Sequence, residues 1–398
     1  MTPSFASIQS ASSSASSSTF SSPYFSSEHE QIRDTLRRFI AEKVQPVADA
    51  WEEQGMVPRQ VLREMGALGL FGMGYDPAYG GSGLDTLANV VLAEELGRST
   101  YGGFEVTVLV HTDMASPHLH HAGNHEQKQR WMPDIISGKK ICAVAMTEAD
   151  AGSDLASMRS YARRTTGGYI LNGSKMFITN GVHGDLYFVA AKTGEPGRNH
   201  QISMFAIEKG TPGFSVARPL KKTGWLSSDT AELSFEDCFI AEDQLIGEEH
   251  RGFYALVKNL QNERLVLGAM MIGAASKAIE VTLEWVKQRK AFGASLWDKQ
   301  SIRHRIAMRM AQVEAARALV YQTAWRDTKG ELVNKEVSMI KALCGELVND
   351  VTYDCVQFHG GMGYIRETTV ERMSRDARVQ SIGGGATEVM LEEIAKRI

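Results

Sequence analysis

Glu263 is the residue whose surroundings point most directly to chemistry. Projected on a helix, Leu256, Leu260, Leu267 and Met270 stand at −7, −3, +4 and +7 from it, offsets that share its face. A carboxylate inside an apolar stripe is costly unless it is paired or keeps its proton. Glu263 is therefore either an ordinary carboxylate, ion-paired with a neighbouring Arg or exposed on this turn of its helix, or a desolvated general base, because burial is how a protein tunes a glutamate for proton abstraction. A second stretch, residues 145–157 (Ala-Met-Thr-Glu-Ala-Asp-Ala-Gly-Ser-Asp-Leu-Ala-Ser), sets small residues and hydroxyls directly after a predicted strand. Backbone N–H groups exposed there would cradle a polar ligand, although Gly152-Ser153-Asp154 also reads as a plain turn. The third, residues 357–364 (Gln-Phe-His-Gly-Gly-Met-Gly-Tyr), has glycines that permit close backbone approach. They spell neither G-x-G-x-x-G nor a P-loop, so a nucleotide-binding βαβ unit is unsupported and a helix break is the plainer reading.

Other constellations are weaker. His118, His120, His121 and His125 cluster, and His121 and His125 have the i, i+4 spacing of metal ligands. Glu126 would not share their helical face, and no better third ligand lies nearby, so no metal site is expected. A Ser/His/Asp hydrolase lacks its G-x-S-x-G elbow here.

Composition bounds what must position these residues. At 398 residues the chain has room for two or three domains, and 43% hydrophobic with 23% charged residues describes an ordinary globular protein. A net charge of −4 gives no electrostatic footprint for nucleic acid or an anionic membrane. Cys142, Cys238, Cys344 and Cys355 form no CxxC pair, which argues against a disulfide framework or structural zinc and suits a reducing cytoplasm. No uninterrupted apolar run reaches the roughly 18 residues of a membrane span. Residues 1–27 hold 13 serines and no Lys or Arg, a composition expected to stay disordered. A mitochondrial address is left open, although a transit peptide is normally Arg-rich.

Order is expected from Ser27, which with Glu30 makes a capping box. Helical periodicity then runs through 28–140, notably over Leu87 to Leu96 and Val106 to Met114. Residues 141–240 read as a small β domain: Asn172-Gly173 between apolar runs predicts a tight hairpin, and Ala231, Leu233 and Phe235 alternate with polar residues. From 241 to 398 helical text returns, in segments near 251–290, 300–328, 332–358 and 367–396, with no Pro after Pro219. The expected fold is mainly α with a middle β domain: an N-terminal helical domain, a β-barrel-like middle domain and a C-terminal four-helix bundle.

Over 28–398 the sequence resembles the acyl-CoA dehydrogenase family. Two long motifs carry the resemblance: Ala145-Met-Thr-Glu-x-x-Ala-Gly-Ser-Asp154 continuing to Ser157, and Gln357-x-x-Gly-Gly-x-Gly363 continuing through Glu367, Arg372 and Asp376. Lys175-Met-Phe-Ile-Thr-Asn180 and Gln288-Arg-Lys-Ala-Phe-Gly293 support it. The resemblance implies the same three-part fold, bound FAD, a homotetramer (sometimes a dimer) and an electron-transfer flavoprotein as acceptor. It also implies α,β-dehydrogenation of an acyl-CoA to the trans-2-enoyl-CoA, with the α proton going to a base and the β hydride to flavin N5. Residue by residue, Met146, Thr147, Gly152 and Ser153 would bind the flavin edge, with Phe177 and Thr179 beside its ring. Arg289, Phe292, Gln300, Gln357, Gly360 and Gly361 would hold the pyrophosphate and adenine across a subunit boundary. Ser153, Gln261, Asn262 and Arg264 would meet the CoA, Arg264 as charge partner.

One departure matters. Many members carry the catalytic Glu in a Tyr-Glu-Gly-Thr loop, where this chain has Gly383-Gly384-Gly385-Ala386, so Gly384 stands at the usual Glu position. The isovaleryl-CoA and long-chain types supply the base from the position matching Glu263, which suggests branched or longer acyl groups. Glu388 is a rival base, better placed in a helix's first turn, and Gly102-Gly103 is either a turn or extra room in the acyl pocket. Two alternatives stand beside the dehydrogenase: a flavin oxidase or monooxygenase on the same fold, and a non-catalytic flavin-binding subunit.

Overall fold

The computed structural model describes residues 22–194 and 201–398, with backbone alone at 253–258. Most of the serine-rich leader therefore lies outside the described residues. Seven helices come first among them: α1 (Ser27–Phe39), α2 (Ala48–Gln54), α3 (Arg59–Ala67), α4 (Thr86–Gly97), α5 (Gly102–Leu109), α6 (Ser116–Ala122) and α7 (His125–Ile136). The first begins one residue earlier than the expected box. Ser26 is the N-cap, and the His29 ring, in the role foreseen for Glu30, accepts the Ser26 N–H at 3.1 Å. Between α5 and α6 the chain winds as a π-helix over Val110–Ala115, a wide turn with i→i+5 bonding that is frequent at functional sites.

Strands follow: β1 (Cys142–Ala145), β2 (Tyr161–Thr165), β3 (Gly168–Thr179), β4 (Leu186–Lys192), β5 (Ile202–Glu208), β6 (Phe214–Pro219), β7 (Thr230–Ala241) and β8 (Leu245–Ile246). They form one sheet ordered β6-β7-β3-β2-β4-β5-β8, with β1 paired in parallel to β4. Ala231, Leu233 and Phe235 are buried as their alternation requires. The hairpin is not at Asn172-Gly173. β3 runs straight through that pair, and the turn to β2 falls at Thr166-Gly167, where Gly167 takes φ +78°. Gly173 serves close packing instead: a Cβ there would strike Ser160.

Five further α-helices follow among the described residues. α8 (Gly252–Gln288), α9 (Gln300–Asp327) and α10 (Asn334–His359) are long, as the absence of proline allows. The fourth expected segment is broken into α11 (Thr369–Ala377) and α12 (Thr387–Ala395). Gly384 at φ +66° and Gly385 at φ +114° turn the chain sharply between them, conformations that favour glycine.

α8 positions the site. Among the described residues its Asn259–Gln288 portion is the one helix long and apolar enough to cross a membrane, yet 72% of that window is buried inside the protein; it is a core helix. α4 crosses it backbone to backbone. A Cβ on Gly97 would run into the Met270 carbonyl, and one on Gly273 into the Glu94 carbonyl. Above the crossing, Arg33 reaches Glu95 at 2.8 Å and Glu94 at 3.3 Å, and Arg317 also pairs with Glu94, joining α1, α4 and α9. Forcing a methyl into such a contact costs about 1–3 kcal/mol. Gly273→Ala is therefore expected to melt several degrees below the wild type in calorimetry; an unchanged midpoint would mean that the two helices do not touch there.

Candidate functional site

Glu263 lies in the first half of α8, facing the π-turn at 110–115. It is 4% exposed, and of its predicted face-mates Leu267 and Met270 are buried and Leu260 half-buried; the Leu256 side chain is outside the described residues. Burial pushes its carboxyl up to about 8, and Asp113 pushes the same way; the Asn259 hydrogen bond and the Arg264 charge oppose them. Among the described residues its hydrogen-bond donor is the Asn259 amide, 2.9 Å from Oε1. The carboxylate has no ion-pair partner there, so of the two readings of its apolar stripe the geometry matches the desolvated acid.

The π-turn organises what surrounds it. Asn259 Nδ2 donates to the Asp113 and Met114 carbonyls at 3.1 and 3.2 Å, and Asn262 Nδ2 approaches the Asp113 carbonyl and carboxylate at 3.3 Å. Burial raises the Asp113 carboxyl to about 6, against hydrogen bonds from Thr112 and Asn262. On its other side His111 Nδ1 accepts the Cys142 N–H at 3.0 Å, tying the turn to the start of β1.

Gly384 closes in from the opposite side. A Cβ there would meet Leu267 Cδ1 at 2.6 Å, one helical turn beyond Glu263, and a Cβ on Gly385 would stand 3.8 Å from Arg264 Nε. The loop is pinned by Lys341, 1% exposed, which donates to the Gln380 and Gly385 carbonyls at 2.6 and 3.0 Å. Burial, then Arg264, pushes the Lys341 ammonium down to about 8. The Gly384 loop thus packs on α8 one helical turn beyond Glu263. Arg264 points toward this loop and toward Glu393 of α12 and Arg397 just beyond it. Glu388 is exposed in the first turn of α12. Gly102 and Gly103 open α5 and pack on Trp225 and Ser227, so they are neither a turn nor spare room.

The 145–157 stretch leaves the end of β1 as a small turn in which Glu148 and Ala151 exchange both backbone hydrogen bonds. Sequence reasoning passed over what anchors it. The Glu148 carboxylate accepts from the Arg159 and Ser160 N–H groups and from Lys175 Nζ, the last at 2.7 Å. Lys175 is fully buried. Burial alone would raise the Glu148 carboxyl, but the Lys175 charge and these hydrogen bonds hold it below its ordinary value. Lys175 also donates to the Met146 carbonyl, and the Met176 N–H to Thr147 O at 2.8 Å. Met146 and Thr147 are thereby fixed beside Phe177 and Thr179. Phe177 sits on a β-bulge at φ +62° and is 65% exposed. Gly152 and Ser153 follow on the open side of the turn. Both members of the ion pair lie inside matched motifs, which was the signal available.

The remaining predicted residues gather elsewhere. Arg289 caps α8, Phe292 tips a two-residue hairpin at φ +54° and 96% exposure, and Gln300 opens α9. Gln357, Gly360 and Gly361 end α10, and a Cβ on either glycine would meet nothing within 4 Å. Trp285 joins the two groups by stacking on His359 at 5.0 Å and donating to the Phe358 carbonyl. Arg289, the C-cap of α8, is 26 residues from Glu263, about 39 Å at the rise of an α-helix; one chain does not bring this cluster to Glu263. His121 and His125 are separated by the break between α6 and α7 at Gly123-Asn124, so their spacing does not place them on one helical face.

Comparison with known proteins gives a consistent picture. Family models match the acyl-CoA dehydrogenase N-terminal domain over residues 26–139, the middle domain over 143–238 and the C-terminal domain over 250–398. The long-chain specific acyl-CoA dehydrogenase of Mus musculus mitochondria is 41% identical over 378 residues, 94% of this chain and 87% of that protein. The mitochondrial isovaleryl-CoA dehydrogenase of Solanum tuberosum is 35% identical over 367 residues, 92% and 89% of the two chains. Among solved structures, the acyl-CoA dehydrogenase of Geobacillus kaustophilus has a TM-score of 0.91 at 37% identity, covering 94% of this chain and 99% of its own.

Two stability measurements probe this geometry. Removing one member of a buried ion pair costs about 3–5 kcal/mol, so Lys175→Met is expected to lower the melting temperature clearly; an unchanged value would show that Glu148 is not held by the pair. The folded carboxyl of Glu263 titrates near 8 against 4.5 for the ordinary group. Its contribution is therefore full below about pH 4.5 and lost as pH rises through 8. Relative to Glu263→Gln, the wild type is expected to lose stability steadily across that window; a pH-independent difference would contradict the raised value.

Proposed function

The chain belongs to the acyl-CoA dehydrogenase family, whose members are FAD-dependent oxidoreductases, and from that premise we propose that Glu263 removes the α proton of an acyl-CoA during conversion to the trans-2-enoyl-CoA. The single observation that carries this reading is the desolvated carboxylate on α8, 4% exposed and without an ion-pair partner among the described residues.

The residues present suit FAD. Phe177 offers an exposed aromatic face beside Thr147 and Thr179, and Met146, Gly152 and Ser153 line the same turn. Gly360 and Gly361 leave their backbone open next to exposed Met362 and Tyr364, and Arg289, Phe292, Gln300 and Gln357 border that surface. The distance of this second group from Glu263 supports a homo-oligomer in which each FAD is held by both groups, one from each of two protomers. FAD supplies the acceptor for the β hydrogen, which leaves as hydride while the α proton goes to a base and the Cα–Cβ single bond becomes double.

The protein's own part is to hold, dry and deprotonate. A base near 8 is strong enough to accept a proton from carbon next to a polarised thioester, and the apolar walls that raise it also strengthen the hydrogen bonds that polarise the carbonyl. In this reading Ser153, Gln261, Asn262 and Arg264 meet the CoA portion. The likeness to long-chain and isovaleryl-CoA enzymes supports branched or medium to long acyl groups, and the reading includes an electron-transfer flavoprotein as acceptor.

Glu263→Gln is expected to retain FAD and bind acyl-CoA while flavin reduction falls by about 10²–10⁴-fold, the range a general base contributes; near-normal bleaching in the variant would sink the assignment. A panel of straight and branched acyl-CoAs, mixed anaerobically with the FAD-loaded wild type, defines the substrate. Bleaching by none of them points to a non-catalytic flavin-binding subunit, and fast restoration of colour by air points to an oxidase.

A further inference from the structure

We propose that Asn259 is the positioning residue of the active site: its amide, pinned to the π-turn at 110–115, holds the Glu263 carboxylate in place for the substrate. The inference rests on Glu263 being the base and adds the group that orients it.

Asn259 lies one turn before Glu263 on α8 and is 2% exposed. Its NH₂ faces three acceptors, the Asp113 and Met114 carbonyls and Glu263 Oε1, at 3.1, 3.2 and 2.9 Å. None of the three oxygens can donate while Glu263 is ionised, so the nitrogen must occupy that side of the amide; the reverse orientation would set Oδ1 against all three. The two carbonyls therefore fix the rotamer of Asn259, and Asn259 in turn is the donor that fixes the carboxylate. Its own Oδ1 is buried with no partner among the described residues. A leucine of similar size would fill the space without that unsatisfied atom, so the asparagine is better explained by its donor than by packing.

The charged groups acting on Glu263 are Asp113 from the π-turn and Arg264 from its own helix. Lys341 of α10, Glu393 of α12 and Arg397 just beyond α12 act on Arg264. With these unchanged, loss of the amide donor removes an interaction made to the ionised form, so the base becomes harder to deprotonate.

The test measures anaerobic flavin reduction by a saturating acyl-CoA across pH 6 to 10, in FAD-loaded wild type, Asn259→Ala, Asn259→Leu and Glu263→Gln. Leucine guards against a cavity that alanine would leave. Both Asn259 variants are expected to displace the profile upward by about one pH unit, a tenfold loss of rate at pH 7, with FAD content and acyl-CoA affinity unchanged. Profiles that coincide with the wild type, whether or not the plateau falls, overturn the proposal. Glu263→Gln separates the two readings. If it is inactive while the Asn259 profiles do not move, only the positioning role fails; if it still reduces flavin, the base assignment fails and the positioning role with it.

Discussion

A carboxylate kept dry on the face of a core helix is the constraint to which the rest of this structure answers. Glu263 is 4% exposed on α8, and water must stay out for its carboxyl to remain near 8. The close crossing of α4 at Gly97 and Gly273 keeps the helix buried, the π-turn packs beside the carboxylate, and the Gly384-Gly385 loop packs on Leu267 one turn along. Each enclosing element has its own means of staying put. The turn is tied to β1 through His111, and the loop is tied to α10 through Lys341.

The same economy appears at the flavin-side turn. In the proposed reading a helical base and a β-strand platform meet across an element boundary, and β1 links them: its first N–H rests on the π-turn and its last residue opens into the 146–153 stretch. The Glu148–Lys175 pair then locks that stretch to β3, beside Phe177. In contrast, the glycines at the end of α10 and the hairpin carrying Phe292 are exposed and far down the bundle. They are built to face something outside their own fold, and a second copy of the chain supplies the matching surface in the proposed assembly.

Much of this was legible in the sequence, for reasons that can be named. Glu263 stood out because helical offsets are fixed by backbone geometry, and Gly384 because a familiar loop lacked its glutamate. The alternation at Ala231, Leu233 and Phe235 reported burial directly. The misplaced hairpin has an equally physical cause. Asn-Gly suits a turn, but Gly173 is required by the nearness of Ser160, a contact that no local pattern reveals. The shifted cap arose because a histidine ring nitrogen can take the acceptor role of a glutamate. Asn259, Asp113 and the π-turn stayed hidden because a π-turn leaves no periodic signature, and the donor role of Asn259 exists only once that turn is folded against α8.

The most direct test of the base is to watch the proton itself. Wild type and Glu263→Gln, both loaded with FAD, would be held anaerobically in deuterium oxide with an acyl-CoA that has α hydrogens but no β hydrogen, such as 3,3-dimethylbutyryl-CoA. Hydride loss is then impossible, and mass spectrometry reads only exchange at the α carbon. If Glu263 takes the proton, the wild type exchanges with a rate that climbs as pH approaches about 8 and the variant does not exchange. Equal exchange in both proteins would contradict it.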